Sequence, residues 1–159
     1  MKSIIIPLND WAAGERKFHA HADLEFFQQF DNTEILDADV NVEVRVVKEG
    51  TRKVEAELHL SGTVTVPCDR CLEPLAVPVE ANPSEVFEPE VLSEDWDLSQ
   101  AVYDYVCLSL PLQRVHPEGE CNPDTVRFLG HEERGNEEAG AEEMANSPFA
   151  ALKGLFDKE

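Results

Sequence analysis

Cys68-Asp-Arg-Cys71 is the tightest group of chemistry-bearing residues in this 159-residue chain. Two thiols three positions apart suit a metal knuckle or a dithiol redox pair, with Arg70 at the tip of the turn. A second unusual stretch runs from Cys107 to Pro123 and supplies Cys107, His116 and Cys121. Zinc takes four ligands, and His116 and Cys121, five residues apart in a Pro- and Gly-containing loop, are the candidates to complete a Cys3His set with Cys68 and Cys71. Asp69 and Glu73 stand beside the thiols as unfavourable neighbours, and the separation of the two halves is not that of a compact zinc finger. Cys107 lies in an apolar segment and reads as a core thiol. A thiol redox centre would place its Cys-x-x-Cys after a strand and at a helix N-terminus, whereas here apolar alternation continues on both sides. No Gly-rich phosphate loop, nucleophile elbow or His-Glu-x-x-His occurs.

The elements that must position these residues are strands. Val40, Val42, Val44 and Val46 alternate with polar residues, the period-two pattern of a half-buried strand. Lys48 to Arg52 turns the chain, with Gly50 able to take positive φ. Alternation resumes through Val54, Ala56, Leu58, Leu60, Val64 and Val66, with Gly62 marking a bend or bulge. After the cysteine turn, Leu75, Val77 and Val79 form a third strand. Short connections predict antiparallel pairing, so Cys68 and Cys71 sit at a hairpin tip.

Around this meander the pattern is weaker. Residues 3–8 suit a short edge strand, 11–16 a loop, and Asp23 to Phe30 a turn or two of helix with Leu24, Phe27 and Phe30 on one side. His19 and His21 read as a solvated pair. Val86, Phe87 and Val91 are anchors in a Pro-rich, acidic stretch. Asp97-Leu-Ser-Gln100 has the form of a capping box, predicting a helix to about Leu110 that stops at Pro111 and buries Leu98, Ala101, Val102, Tyr105 and Leu108 or Ser109. This helix is expected to cover the open face of the sheet. From Gly130 the composition turns acidic and poor in large apolar residues, as in a disordered linker. Ser147-Pro-Phe149 then opens a short helix with Phe149, Leu152 and Phe156 on one face, a motif for docking on a partner or on its own domain. The expected organisation is an α+β domain over 1–129, an antiparallel meander (sheet or partial barrel) under one main helix, followed by an acidic linker over 130–146 and a docking helix over 147–159.

Thirty-three acids against thirteen bases give a net charge of −20. Eight acids and three bases lie from Gly130 onward, so residues 1–129 still carry −15. Such a field opposes direct binding to nucleic acid, which depends on Lys and Arg displacing counterions, and favours a basic protein partner. A surface kept acidic for solubility is the plainer alternative. The apolar run Ile4–Ile6 is broken by Pro7 and closed by Asn9 and Asp10, too short for a secretory signal. No window is long enough to span a membrane. A cytoplasmic protein with reduced thiols is expected.

Taken in order, Val66-Pro-Cys-Asp-Arg-Cys-Leu-Glu-Pro74, Val86-Phe-Glu-Pro89, Asp97-Leu98, Leu108-Ser-Leu-Pro111, His116-Pro-Glu-Gly-Glu-Cys-Asn-Pro123 and Ser147-Pro-Phe-Ala-Ala-Leu-Lys-Gly-Leu155 resemble the YceD family of bacterial and plastid large ribosomal RNA subunit accumulation proteins. The resemblance implies a non-enzymatic role in accumulation or processing of large-subunit rRNA, close to ribosomal-protein expression and assembly. It singles out Cys68, Arg70, Cys71, Pro111, His116 and Cys121 without giving them a chemical role. Many relatives carry a further Cys-x-x-Cys after the helix, where this chain has Cys121 alone. The function expected is a ribosome biogenesis factor that binds a basic ribosomal protein or pre-ribosomal particle, with rRNA reached indirectly. A zinc-stabilised interaction module and a thiol redox protein are the alternatives.

Overall fold

The computed structural model describes residues 2–9, 12–50, 53–88 and 95–132. Val91, most of the acidic linker, and the terminal segment with Phe149 and Leu152 lie outside these described residues. The chain divides into two compact units, Met1–His116 and Pro117–Glu159.

The first unit is α+β, built on an antiparallel meander. Strands β2 (Gly14–Asp23), β3 (Asp37–Glu49), β4 (Lys53–Pro67) and β5 (Pro74–Ala81) pair in chain order, and β6 (Ser84–Phe87) pairs with the first half of β4. The sheet is open, not a closed barrel. Two short strands, β1 (Ile5–Ile6) and β7 (Trp96–Asp97), pair separately. Helix α1 (Leu24–Gln28) follows β2, and α2 (Ser99–Ser109) packs against β5.

The valine ladder of β3 and the even-numbered apolar residues of β4 point to one face, where Val40 to Val46, Val54, Leu58, Leu60, Val64 and Val66 are buried. Phe26 and Phe27 of α1, Val102 and Val106 of α2, and Ile4, Ile6 and Leu8 complete that core. At roughly 25 cal/mol per Å2 of apolar surface removed from water, this face is the main source of stability.

Several expectations change. The region from Gly14 is a ten-residue strand, not a loop up to Arg16; it pairs with β3 along its length and turns Ala20 and Ala22 inward while His19 and His21 point outward. Gly62 is not a bulge. Register is unbroken on both sides of it, Val40↔Gly62 and Gly62↔Val79, and a Cβ there would lie 2.0 Å from the Asp39 carbonyl oxygen. The glycine is needed for close approach of two backbones.

The capping box does not form. Asp97 accepts the Ser99 amide at 2.9 Å, and Gln100 bonds forward to Asp104 at 2.9 Å. The N-cap position falls on Leu98, whose side chain has no acceptor, because Asp97 is held in β7 against Ile5 and the helix starts one residue later. Ser99 Oγ separately accepts the buried Ile4 amide at 2.8 Å. Helix α2 ends before Pro111 as expected, with Leu110 extended at its C-cap. Its buried side is Ser99, Val102 and Val106, while Leu108 is 79% exposed.

In the second unit, helix α3 (Pro123–Glu132) starts at a proline, a residue suited to the first helical turn, after Asn122 accepts the Asp124 amide at 3.0 Å.

Candidate metal centre

The hairpin between β4 and β5 forms the first half of the site. Pro67 and Pro74 are the last paired residues, and the six between them make the turn. The Cys68 amide donates to the Glu73 carbonyl at 2.9 Å, and the Leu72 amide donates back to the Cys68 carbonyl at 2.9 Å. Leu72 adopts φ 64, a left-handed conformation that costs about 1–2 kcal/mol for a residue with a Cβ and lets the chain double back immediately after the second thiol. Cys68 is 0% and Cys71 3% exposed, while Asp69 and Arg70 between them face solvent.

Asp69 does not crowd the thiols. Its amide donates to the Arg114 carbonyl at 2.7 Å, and its carboxylate accepts the Arg114 amide at 2.7 Å. These two bonds fix the chain two residues before His116. The role of Asp69 was not legible from sequence, because it depends on a partner 45 positions away.

His116 faces the thiols through one ring nitrogen. Its Nε2 lies 3.2 Å from the Pro74 carbonyl, which can only accept, so Nε2 carries the proton and donates. The other nitrogen, Nδ1, lies 3.4 Å from Cys71 Sγ. The hydrogen bond with the Cys68 thiol raises the His116 pKa, burial opposes this, and Cys71 and the Pro74 carbonyl add to the rise. At Cys68, burial favours the neutral thiol. The amides of Cys71, Arg70 and His116 and the Cys71 thiol outweigh it, bringing the pKa from 9.0 to about 6. The group is therefore built to stabilise negative sulfur.

Beyond His116 the chain turns at once. Gly119 takes φ 86, and the Glu120 amide closes on the Pro117 carbonyl at 3.0 Å. Cys121 follows in the second unit. Within the first unit, one ligand atom from each of Cys68, Cys71 and His116 lies within 4.8 Å of the others. Three of the four residues singled out as ligands thus form, within the first unit, a Cys2His group that could hold a metal ion. No disulfide joins the cysteines. Cys107 is outside the cluster, half-buried on α2, and burial raises its pKa, consistent with a packed thiol.

Of the other signature residues, Arg70 is exposed at the hairpin tip and Pro111 is exposed after α2. The paired histidines of β2 are not simply solvated: His21 Nε2 lies 2.7 Å from Asp39 Oδ1. On the outer face of the sheet, Lys17, His19, Glu43, Arg45, Glu57 and His59 line an open concavity of about 560 Å3.

A family model described as large ribosomal RNA subunit accumulation protein YceD matches residues 56–156, well over half of the chain. The chain belongs to the YceD family. The match takes in Cys68, Cys71, His116 and Cys121, and the family's description ties the chain to accumulation of large-subunit ribosomal RNA. No curated protein and no solved structure matches the chain. Among the described residues, no helix is long and apolar enough to cross a membrane.

Proposed function

We propose that the chain supports large-subunit rRNA accumulation without catalysis, as an acidic cytoplasmic adaptor that holds a basic ribosomal protein or a large-subunit precursor particle. The observation that carries this reading is the charge, −20 on a member of a family described by its link to rRNA. Phosphate backbones are repelled by such a surface, whereas a lysine- and arginine-rich protein is attracted and steered to it. The outer face of the sheet supports the same reading, since Asp37, Asp39, Glu43 and Glu49 of β3 and Glu57 of β4 are exposed there. Contact with rRNA is then indirect.

The test is affinity capture with the full chain at moderate salt, followed by a salt series. The expected result is enrichment of ribosomal proteins or large-subunit rRNA that fades as salt screens the field. Capture at the level of an unrelated acidic protein would refute the reading.

A thiol redox protein is favoured by one observation, the lowered pKa of Cys68. Reactive thiols also need access, and Cys68 is 0% exposed in a turn between two strands. Burial with stabilised thiolates suits a ligand better than a nucleophile. Slow alkylation of Cys68 in the folded chain at neutral pH is the outcome expected; rapid alkylation would restore the redox reading.

A further inference from the structure

We propose that His19, Glu43 and His59 form a surface site for a divalent transition-metal ion of the zinc or nickel type, which clamps edge strand β2 across β3 onto β4. The three residues lie within the first unit, and the argument is independent of the ribosomal role.

The first element is register. His19 pairs with Glu43 and Glu43 pairs with His59, so the three form one row across β2, β3 and β4. Strand alternation sets them on the outer face, since their neighbours Val42, Val44, Leu58 and Leu60 are buried on the other. Antiparallel partners lie about 4.5–5.5 Å apart at Cα, so the two histidines flank the carboxylate from strands roughly 10 Å apart. All three line the same open concavity of about 560 Å3, which an ion can enter from solvent. Rotation about χ1 and χ2 then brings the donors onto one ion at about 2.0–2.2 Å.

The second element is availability. Among the described residues, His19 and Glu43 make no hydrogen bond or ion pair. His21, two positions along, is instead engaged by Asp39 at 2.7 Å. His59 Nδ1 lies 2.6 Å from Asn82 Oδ1, an oxygen that can only accept, so Nδ1 carries the proton and Nε2 keeps its lone pair. Histidines that bind metal commonly have this backing, which sets the tautomer and orients the ring. In the adjoining row, the charge of Arg45 is already matched by Glu15 at 2.9 Å and Glu57 at 2.6 Å. Lys17 remains there as a cation, against a net charge of −20 that concentrates cations at the surface.

The third element is donor chemistry. Two imidazoles and a carboxylate suit zinc, nickel or copper, whereas magnesium and calcium prefer oxygen alone. The ion also answers a weakness of the fold. Strand β2 ends the order β2-β3-β4-β5, and its inward Ala20 and Ala22 bury little apolar area. A link from His19 over β3 to His59 ties the edge strand down where packing is thin.

The experiment titrates the purified full chain with zinc chloride at neutral pH and follows imidazole and backbone signals by NMR. The signals of His19 and His59 are expected to move together along one saturable curve, with His21 unmoved and magnesium without effect. Asn82→Ala should weaken binding about tenfold or more, the loss typical when the support of a ligand is removed, and Glu43→Gln at least as much. Glu43 is exposed, so its variant should keep the wild-type urea midpoint in the absence of zinc. Zinc taken by the Cys68 group is read separately, because Cys68 lies nine residues beyond His59, roughly 30 Å along an extended strand. Failure of His19 and His59 to shift overturns the proposal, as do separate midpoints for the two. A His21 shift as large as that of His19, or wild-type affinity in Glu43→Gln, overturns it equally.

Discussion

Gly62 stands where three central strands meet, and replacing it should cost more than its small size implies. A Cβ at this position would lie 2.0 Å from the Asp39 carbonyl oxygen, 2.8 Å from Val40 Cα and 3.0 Å from the Asp39 carbonyl carbon. All three are backbone atoms of β3, so no rotamer change relieves the clash; the strand itself must move by about 1 Å against its neighbour. Forcing extra volume into a packed interior typically costs about 1–3 kcal/mol, and displacement of paired backbone places Gly62→Ala at the upper end. The lower entropy of the unfolded Ala chain offsets roughly 0.4–1 kcal/mol. A net loss of about 2 kcal/mol is expected, equivalent to roughly 4–8 °C in melting temperature for a chain of this size. Urea unfolding should show a lower midpoint with an unchanged slope. Gly50 is the control: it takes φ 67, and a Cβ there meets nothing within 4 Å. Its demand is conformational, so Gly50→Asn should be milder than Gly50→Ala. At Gly62 asparagine should be no better than alanine. A Gly62→Ala midpoint equal to wild type, or rescue by asparagine at that position, would refute the close-approach argument.

Three further outcomes follow from the same geometry. Val106→Ala should cost about 2 kcal/mol in chemical denaturation, because its side chain is fully buried, whereas Leu108→Ala, two residues on and 79% exposed, should stay within about 0.5 kcal/mol. Asp69→Ala should cost about 1 kcal/mol of unfolding free energy through loss of its bond to the Arg114 amide, with Asp69→Asn recovering most of the loss because an amide oxygen still accepts. The hydrogen bond from Arg45 holds the Glu15 pKa below its usual value, so its contribution is present above the unfolded carboxylate pKa of roughly 4.3 and is lost as pH falls through the lower folded value. Wild type and Glu15→Gln should therefore differ in urea midpoint at pH 7 and converge in strong acid.

The sheet was legible where side chains alternate without interruption. Val40 to Val46 and Val54 to Val66 declare their buried face residue by residue, which also placed Cys68 and Cys71 at a hairpin tip. Strand β2 was not legible because, apart from Phe18, its inward residues are the small Ala20 and Ala22; pairing with β3 along its length makes it a strand. The capping box failed because Asp97 is held in β7 against Ile5 from the other end of the unit, and Gln100 bonds forward to Asp104. At the cluster, thiol spacing and the nearby His-to-Cys loop singled out Cys68, Cys71 and His116, which the first unit brings together. Their supports could not be read, because Pro74 contributes only a carbonyl and Asp69 acts through a distant amide.

A role in large-subunit rRNA accumulation has a cellular signature. Its most direct test is the ratio of large- to small-subunit rRNA after the chain is depleted from its native cells and then restored. A selective fall in large-subunit rRNA is expected on depletion, with recovery on return of the wild-type chain. An unchanged ratio under complete depletion would contradict it.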